Sequence, residues 1–184
     1  MRRLSLIMVS LALLAASPAA AAEMRQYELG VLGGFFFADS YAGVDDDFIY
    51  GARAGIFFTP VHELELLYDH VSTTFASPSV GDLDEEFTTY SARWVFNFPL
   101  PSGRFVPYGA IGVGIMEDEV ERPDGTIASD DDTLWTLGGG FRSFFGDNMA
   151  LRVEGRMKSF RTFEVSQNSF EITVGLTWAL GRRP

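Results

Sequence analysis

The sequence FEITVGLTWAL, residues 170–180, alternates apolar residues with small or polar ones without a break. Successive side chains of a β-strand point to opposite faces, so one face of this segment would carry only apolar residues: Phe170, Ile172, Val174, Leu176, Trp178 and Leu180. About seven further segments upstream alternate in the same way, and the connectors between them are by turns long and acidic, then short and turn-like. The pattern predicts an all-β fold, an eight-stranded antiparallel up-and-down barrel that crosses a membrane.

The predicted strands have the length that a tilted strand needs to cross a bilayer. They lie at 27–37, 48–58, 63–74, 87–98, 104–116, 133–145, 149–160 and 169–180. The connectors after the second, fourth and sixth strands are rich in residues that accept tight turns: 59–62, 99–103 and 146–148. We predict that these turns lie on the periplasmic side, together with both ends of the barrel domain, because the number of strands is even.

The other connectors are longer and are predicted to be extracellular loops: 38–47, 75–86, 117–132 and 161–168. Most of the clustered acid lies at their edges, in four runs: 45–47, 84–86, 117–119 and 130–132. The loops are the predicted place of contact with an external ligand or a host surface, and their sequences contain no motif for a particular partner. Their carboxylates also raise the hypothesis of weak divalent-cation binding, although the spacing does not match a dedicated calcium loop.

The first 22 residues have the features of an export signal. Arg2 and Arg3 precede an apolar run at 4–16, and a string of alanines offers a small-residue cleavage site before Glu23. We therefore predict a signal peptide at 1–22 and a single barrel domain at 23–184. Cleavage removes two arginines and changes the formal net charge from −11 to −13, a balance that disfavours nucleic acid as a partner.

The composition also limits the chemistry. The chain contains no cysteine, so disulfides, a thiol nucleophile and a thiolate metal site are excluded. No phosphate loop, dinucleotide fingerprint or metal-ligand cluster is present in the sequence, and we expect no cofactor.

The second face of the predicted strands combines charged residues with many glycines. Its eleven charged residues are Glu28, Arg53, Glu65, Asp69, Arg93, Arg142, Arg152, Glu154, Arg156, Lys158 and Glu171. Six are basic and five acidic, which is close to neutral in a strongly acidic chain. A lumen of eight strands is only just wide enough for side chains, so glycines would make room for long ionic ones, and buried charges must be paired. We predict a lumen plugged by ion pairs, and a narrow porin-like channel is the alternative.

The opposite face carries no charge, and many of its aromatic residues lie near strand ends, as in the interfacial girdles of membrane barrels. In a soluble lipocalin-like barrel the same apolar face would be the core, and the polar face would lie in water. That polar face should then share the acidic bias of the chain and should not need so much glycine. The near-neutral, glycine-rich face therefore favours the membrane barrel.

Three consecutive segments resemble the outer-membrane β-barrel domain family, the small opacity-like and OmpA-like barrels. They are FVPYGAIGVGI at 105–115, LGGGFR at 137–142 and NMALRVE at 148–154. The resemblance covers the mature chain and implies an exported protein of the Gram-negative outer membrane, monomeric by default and surrounded by lipid and lipopolysaccharide. It also implies recognition by the barrel-insertion machinery, for which the terminal aromatic signal would be Trp178. Members of this family include structural anchors, adhesins and host-interaction proteins, so we expect a non-enzymatic, structural or surface-interaction role.

One short spacing suggests a catalytic alternative. His70 and Ser72 fall on the lipid-facing side of the third strand, and this arrangement resembles the outer-membrane lipid A deacylases, in which a histidine activates a serine nucleophile. Glu85 or Glu86 would supply the orienting acid, but Thr73 follows Ser72 where those enzymes place asparagine. Because a histidine and a serine two residues apart are common at strand rims, we expect no catalytic site here.

Overall fold

The computed structural model describes residues 26–37, 46–77, 81–101, 104–121, 127–145, 148–162 and 165–181. The predicted signal peptide at 1–22 lies outside these residues. The described chain forms eight strands: β1 (Gln26–Phe37), β2 (Asp47–Phe57), β3 (His62–Ser77), β4 (Gly81–Asn97), β5 (Phe105–Glu121), β6 (Ile127–Phe145), β7 (Met149–Thr162) and β8 (Val165–Leu180).

Each strand pairs antiparallel with the next, and β1 pairs with β8, so the sheet closes on itself. The residues paired between β1 and β8 extend from Tyr27 opposite Leu180 to Phe37 opposite Phe170. The predicted eight-stranded antiparallel up-and-down barrel is therefore confirmed. Among the described residues, none belongs to a helix that is long and apolar enough to span a membrane.

The sequence predicted the two ends of the strands with different success. At the end with the short turns, every strand boundary lies within one residue of its predicted position. At the opposite, outer end, the strands of the last three hairpins are longer than predicted: β3 ends at Ser77 instead of residue 74, β6 begins at Ile127 instead of residue 133, and β8 begins at Val165 instead of residue 169. The prediction of long loops at 75–86, 117–132 and 161–168 was wrong, because the described residues of these segments belong to paired strands.

This difference also moves the acidic runs. The acidic residues at 84–86, 117–119 and 130–132 lie within strands, so these three runs are not loop edges. Asp47 begins β2, and the rest of the predicted loop at 38–47 lies outside the described residues except for Asp46. The physical reason is that hairpin pairing satisfies the backbone whatever the side chains are. Beyond the membrane both faces of a strand can be wet, and the apolar alternation that marked the strands in the sequence disappears.

In the part of the chain that the structure describes, the middle four strands are paired with one another further toward the outer end than with β2 and β7. β3 pairs with β2 only as far as Val71, and β6 pairs with β7 only from Leu134 onward. The ladders that join β3, β4, β5 and β6 continue past these points to the hairpin ends at Ser77 and Ile127. We call these outer parts the projecting sheet: residues 72–77, 81–86, 117–121 and 127–133.

The two faces of the wall separate by burial as the sequence predicted. From Asn168 to Leu180 of β8, residues alternate strictly between exposed and buried, with Glu171 buried and its neighbours Phe170 and Ile172 exposed. On β6 the outward side chains of Trp135 and Leu137 are each 61% exposed. Ionic residues therefore point to the axis, and large apolar ones cover the outside.

Candidate functional site: the ionic interior

All the charged residues predicted for the lumen are buried in the barrel interior, and one further acid joins them. The eleven predicted residues, Glu28 through Glu171, are each no more than 4% exposed. Glu63, which was not among the residues predicted for the lumen, is also fully buried. Glu63 is the second residue of β3 and lies two positions before Glu65. Side chains two positions apart on a strand point to the same face, so the predicted inward position of Glu65 could also have predicted that of Glu63. With Glu63, six buried acids face six buried bases among the described residues, so these twelve contribute nothing to the net charge of −11.

The contacts divide these residues into two clusters. The inner cluster, nearer the short turns, contains four acids and four arginines: Glu28, Glu63, Glu65, Glu154, Arg53, Arg93, Arg142 and Arg152. The outer cluster contains two acids and two bases: Asp69, Glu171, Arg156 and Lys158. Each cluster is neutral by itself.

Glu154 of β7 is the centre of the inner cluster. Its carboxylate pairs with Arg93, with Arg53 Nη1 at 3.3 Å and with Arg152 Nη2 at 3.2 Å. The Tyr108 hydroxyl donates a further hydrogen bond to Glu154 Oε2 at 2.7 Å. Three guanidinium groups and a phenol from four strands thus converge on one carboxylate.

Tyr108 connects these charges and was not predicted from the sequence. Its hydroxyl accepts a hydrogen bond from Arg152 Nε at 2.7 Å while it donates to Glu154. The guanidinium carbon of Arg152 lies 4.2 Å from the centre of the tyrosine ring, and that of Arg142 lies 5.1 Å from it. Both distances lie within the range of a cation–π interaction, so the Tyr108 ring contributes to the stabilisation of two cations.

Three acids lie close together at the inner end, with carboxylate oxygens of Glu28, Glu63 and Glu65 within 4.8 Å of one another. Arg142 Nη2 donates to Glu63 at 2.6 Å, and Arg152 Nη1 lies 3.5 Å from Glu28. Such a triplet has the composition of a cation site. Here the guanidinium groups supply the compensating positive charge.

The outer cluster joins β3 and β7 with β8. Arg156 Nε donates to Glu171 at 2.6 Å, and Arg156 Nη2 donates to Asp69 at 3.1 Å. Lys158 pairs with both acids, at 2.7 Å from Glu171, and also donates to Thr89 Oγ1 at 3.2 Å. The two bases are therefore shared between the two acids.

An apolar layer lies inside the barrel at its outer end, beyond the outer cluster. It contains one buried residue from each of β1 to β7: Phe36, Ile49, Val71, Phe87, Met116, Leu134 and Phe160. The sequence pattern predicted charged residues and glycines on the inward face, and it did not predict this apolar layer. Each of these apolar residues lies an even number of positions from an inward-facing residue of its own strand, and this spacing could have predicted the layer.

Glycines on the inward face make room for the ionic side chains, as predicted. A Cβ atom added at Gly55 would lie 2.3 Å from Glu63 Oε1, and one at Gly112 would lie 2.6 Å from Arg93 Cγ. Any larger residue at these two positions would displace a member of the inner cluster.

His70 and Ser72, the candidates for catalysis, lie on the outward face of β3. His70 Nδ1 is 3.0 Å from Thr88 Oγ1, and the imidazole packs 5.2 Å from the ring of Tyr50. Ser72 is exposed and lies opposite Glu86 in the register with β4. His70 Nδ1, the nitrogen that an orienting acid would hold in a catalytic triad, thus has a threonine hydroxyl as its partner.

Aromatic residues cover the outside near the short-turn end. Phe58 and Trp94 stack with their ring centres 5.7 Å apart, and Trp94 Nε1 donates to His62 Nδ1 at 3.3 Å. Rings with a polar tip are typical of the membrane–water interface.

A closed barrel with a charged interior and an uncharged, aromatic-rich exterior defines the transmembrane barrels of the bacterial outer membrane. The chain belongs to the outer membrane protein beta-barrel domain family, whose model matches residues 6–177. It is therefore a small outer membrane β-barrel protein. No curated protein matches the sequence significantly.

Several solved structures share this fold. Neisserial surface protein A (NspA) superposes with a TM-score of 0.71 at 15% identity, covering 83% of this chain and 96% of that one. OprG of Pseudomonas aeruginosa gives 0.60 at 13% identity, covering 86% and 98%. Ail of Yersinia pestis, crystallised with the heparin analogue sucrose octasulfate, gives 0.53 at 14% identity, covering 84% and 97%.

Proposed function

We propose that the protein is a non-enzymatic, non-conducting scaffold of the outer membrane, exported by the signal peptide at 1–22. Its ion-paired interior holds the barrel rigid, and its acidic outer end acts in envelope structure or in contact with external surfaces. Lipid and lipopolysaccharide surround it, the insertion machinery assembles it, and it works as a monomer.

The observation that carries this proposal is the neutrality of each buried cluster. A channel for ions needs a lining whose charges attract ions and leave water between them. Here six acids are matched by six bases at hydrogen-bonding distance across the lumen. Breaking such a pair leaves an uncompensated buried charge at a cost of about 3–5 kcal/mol, which holds the side chains in place.

The apolar layer supports the same proposal. Leu134 and Ile49 are fully buried, and Phe36, Phe87 and Phe160 fill the same level of the lumen. An ion that entered from outside would have to pass this layer without a polar partner, which is unfavourable.

The charge of the outer end indicates the kind of surface that it can meet. The exposed carboxylates of Glu86, Glu117, Glu119 and Asp131 lie on the projecting sheet. A polyanion of the kind crystallised with Ail would be repelled there. A cationic partner or a cation-coated surface is the complementary choice.

Planar-bilayer recording tests the scaffold. The purified full chain, reconstituted without detergent, should show no steady conductance above that of the empty bilayer. A general porin inserted by the same procedure is the control for successful reconstitution. Steady, reproducible channel steps from this protein would contradict the proposal and favour the narrow porin.

A further inference from the structure

Glu63 and Arg142 pair with each other at the inner end of the lumen, yet each has one polar atom without a hydrogen bond. Arg142 Nη2 donates to Glu63 Oε2 at 2.6 Å, and Arg142 Nη1 donates to Asn97 Oδ1 at 2.8 Å. Among the described residues, nothing donates to Glu63 Oε1 and nothing accepts from Arg142 Nε. Both residues are buried, with exposures of 0% and 1%. Burying an unsatisfied atom of a charged group is costly, so each of these two atoms needs a partner.

Glu28 of β1 lies beside these two residues and is loosely held. Its Oε1 is 3.6 Å from Arg142 Nε and 3.5 Å from Arg152 Nη1. Charge-assisted hydrogen bonds between nitrogen and oxygen are usually about 2.7–2.9 Å long, so both contacts are long. Polar groups separated by more than about 3.5 Å are often bridged by a water molecule. The pair of Glu28 and Arg142 has this spacing.

Gly55 of β2 provides the space for such a bridge. In the strand register it lies opposite Glu28 on one side and opposite Glu65 on the other. A Cβ atom added at Gly55 would collide with Glu63 Oε1, so this oxygen lies over Gly55. Oxygens of the three carboxylates lie within 4.8 Å of one another. The oxygen of Glu63 that lacks a hydrogen bond is therefore directed into the space between Glu28 and Glu65.

The charges around this space favour a neutral ligand. The four acids of the inner cluster are balanced by its four arginines, so a metal cation would add uncompensated positive charge. An anion would face three carboxylates. A water molecule is neutral, both donates and accepts hydrogen bonds, and fits a lumen that side chains nearly fill. Two O–H···O hydrogen bonds of about 2.8 Å from one water molecule reach oxygens about 4.5 Å apart, which agrees with the spacing of the carboxylates.

We propose that Glu28, Glu63 and Arg142 form a binding site for one water molecule over Gly55. The water donates to Glu63 Oε1 and to a carboxylate oxygen of Glu28, and it accepts a hydrogen bond from Arg142 Nε. Three hydrogen bonds are typical of a buried water molecule. The bridge joins side chains of β1, β3 and β6, so it ties the loosely held Glu28 into the inner cluster.

Proton-detected solid-state NMR of the isotope-labelled full chain in lipid bilayers tests the site. The measurement is magnetisation transfer from water to the Nε–H protons of the arginines. We expect transfer to Arg142 to be several-fold stronger than transfer to Arg93, which is the internal control. Arg93 is buried in the same cluster, but its Nε donates to Glu65 Oε1 at 3.0 Å and needs no water.

Two glycine variants locate the water. Gly55→Ala places a methyl group against Glu63 Oε1, so the water signal at Arg142 should be lost. Gly109→Ala is the matched control, because a Cβ atom at Gly109 meets no atom nearer than 4.0 Å, and the signal should remain. If Gly55→Ala does not fold, the comparison of Arg142 with Arg93 in the wild type still decides the question. A folded Gly55→Ala variant that keeps the signal would overturn the proposal.

Three other results would also contradict a water site. Equal transfer to Arg142 and Arg93 would mean that no water is held beside Arg142. A carboxyl carbon shift typical of a protonated acid at Glu63 would mean that Glu28 and Glu63 share a proton instead. A change in the Glu63 resonances when tetramethylammonium replaces sodium would mean that the ligand is a metal ion. None of these results depends on conductance, so failure here and failure of the non-conducting scaffold are distinguishable.

Discussion

Arg93 of β4 donates through two nitrogens to both carboxylate oxygens of Glu154 on β7, with Nη2 to Oε2 at 3.1 Å. The two strands are not neighbours in the wall, since β4 pairs with β3 and β5, and β7 pairs with β6 and β8. This ion pair therefore spans the lumen. A bidentate contact between two buried charges fixes both distance and orientation, so the pair acts as a cross-brace between opposite walls.

Removing the central acid should be strongly destabilising. Glu154→Gln leaves Arg53, Arg93 and Arg152 with one negative charge fewer among them, and we expect a loss of about 3–5 kcal/mol in the free energy of unfolding. Urea unfolding in lipid vesicles, with the folded fraction read from heat-modifiable migration on gels, measures this loss of free energy. Glu119→Gln, an exposed acid, is the matched control and should stay within about 0.5 kcal/mol of wild type. Equal losses from both variants would contradict the assigned role of Glu154.

The outer cluster should show energetic coupling. Asp69→Asn leaves Arg156 and Lys158 with one acid, whereas Asp69→Asn combined with Lys158→Met restores neutrality with Arg156 and Glu171. We therefore expect the double variant to be more stable than the sum of the two single changes predicts, by about 0.5–3 kcal/mol. A double-mutant cycle in the same unfolding assay measures this coupling, and strict additivity would show that the four residues do not act as a unit.

Inward and outward leucines on one strand should respond differently to truncation. Leu134 is fully buried in the apolar layer, so Leu134→Ala should leave a cavity and cost about 2–5 kcal/mol. Leu137, three residues later, is 61% exposed on the outside, where lipid chains can fill the space left by Leu137→Ala. Unfolding in vesicles should therefore show a clearly smaller loss for Leu137→Ala. A larger loss of stability for Leu137→Ala than for Leu134→Ala would mean that the apolar layer is loosely packed.

The catalytic alternative has a direct chemical test. Ser72→Ala should leave the acyl chains of lipid A unchanged, because His70 Nδ1 pairs with Thr88 where a catalytic triad would place an orienting acid. Mass spectrometry of lipid A from cells that express the wild type, Ser72→Ala or an empty vector compares them. Loss of one acyl chain that depends on Ser72 would establish a lipid A deacylase and refute the non-enzymatic scaffold.

The alternation in the sequence was sufficient for the fold and for much of the interior. A period of two assigns each side chain to one of two faces, and only one assignment puts Arg93 and Glu171 out of lipid while exposing Trp135 and Leu137 to it. That choice predicted the barrel and eleven of the twelve buried charges. It worked because the bilayer imposes the same constraint on every strand.

Only the tertiary structure decided which charges meet, how far the strands extend and which apolar residues pack together inside the outer end. Partners such as Arg93 and Glu154 come from opposite walls, and a periodicity says nothing about contacts across the lumen. The apolar layer at Ile49 and Leu134 requires seven strands to bring one residue each to the same level. In the projecting sheet, strand pairing continues through segments whose sequence no longer alternates between apolar and polar residues, so the sequence pattern does not report it.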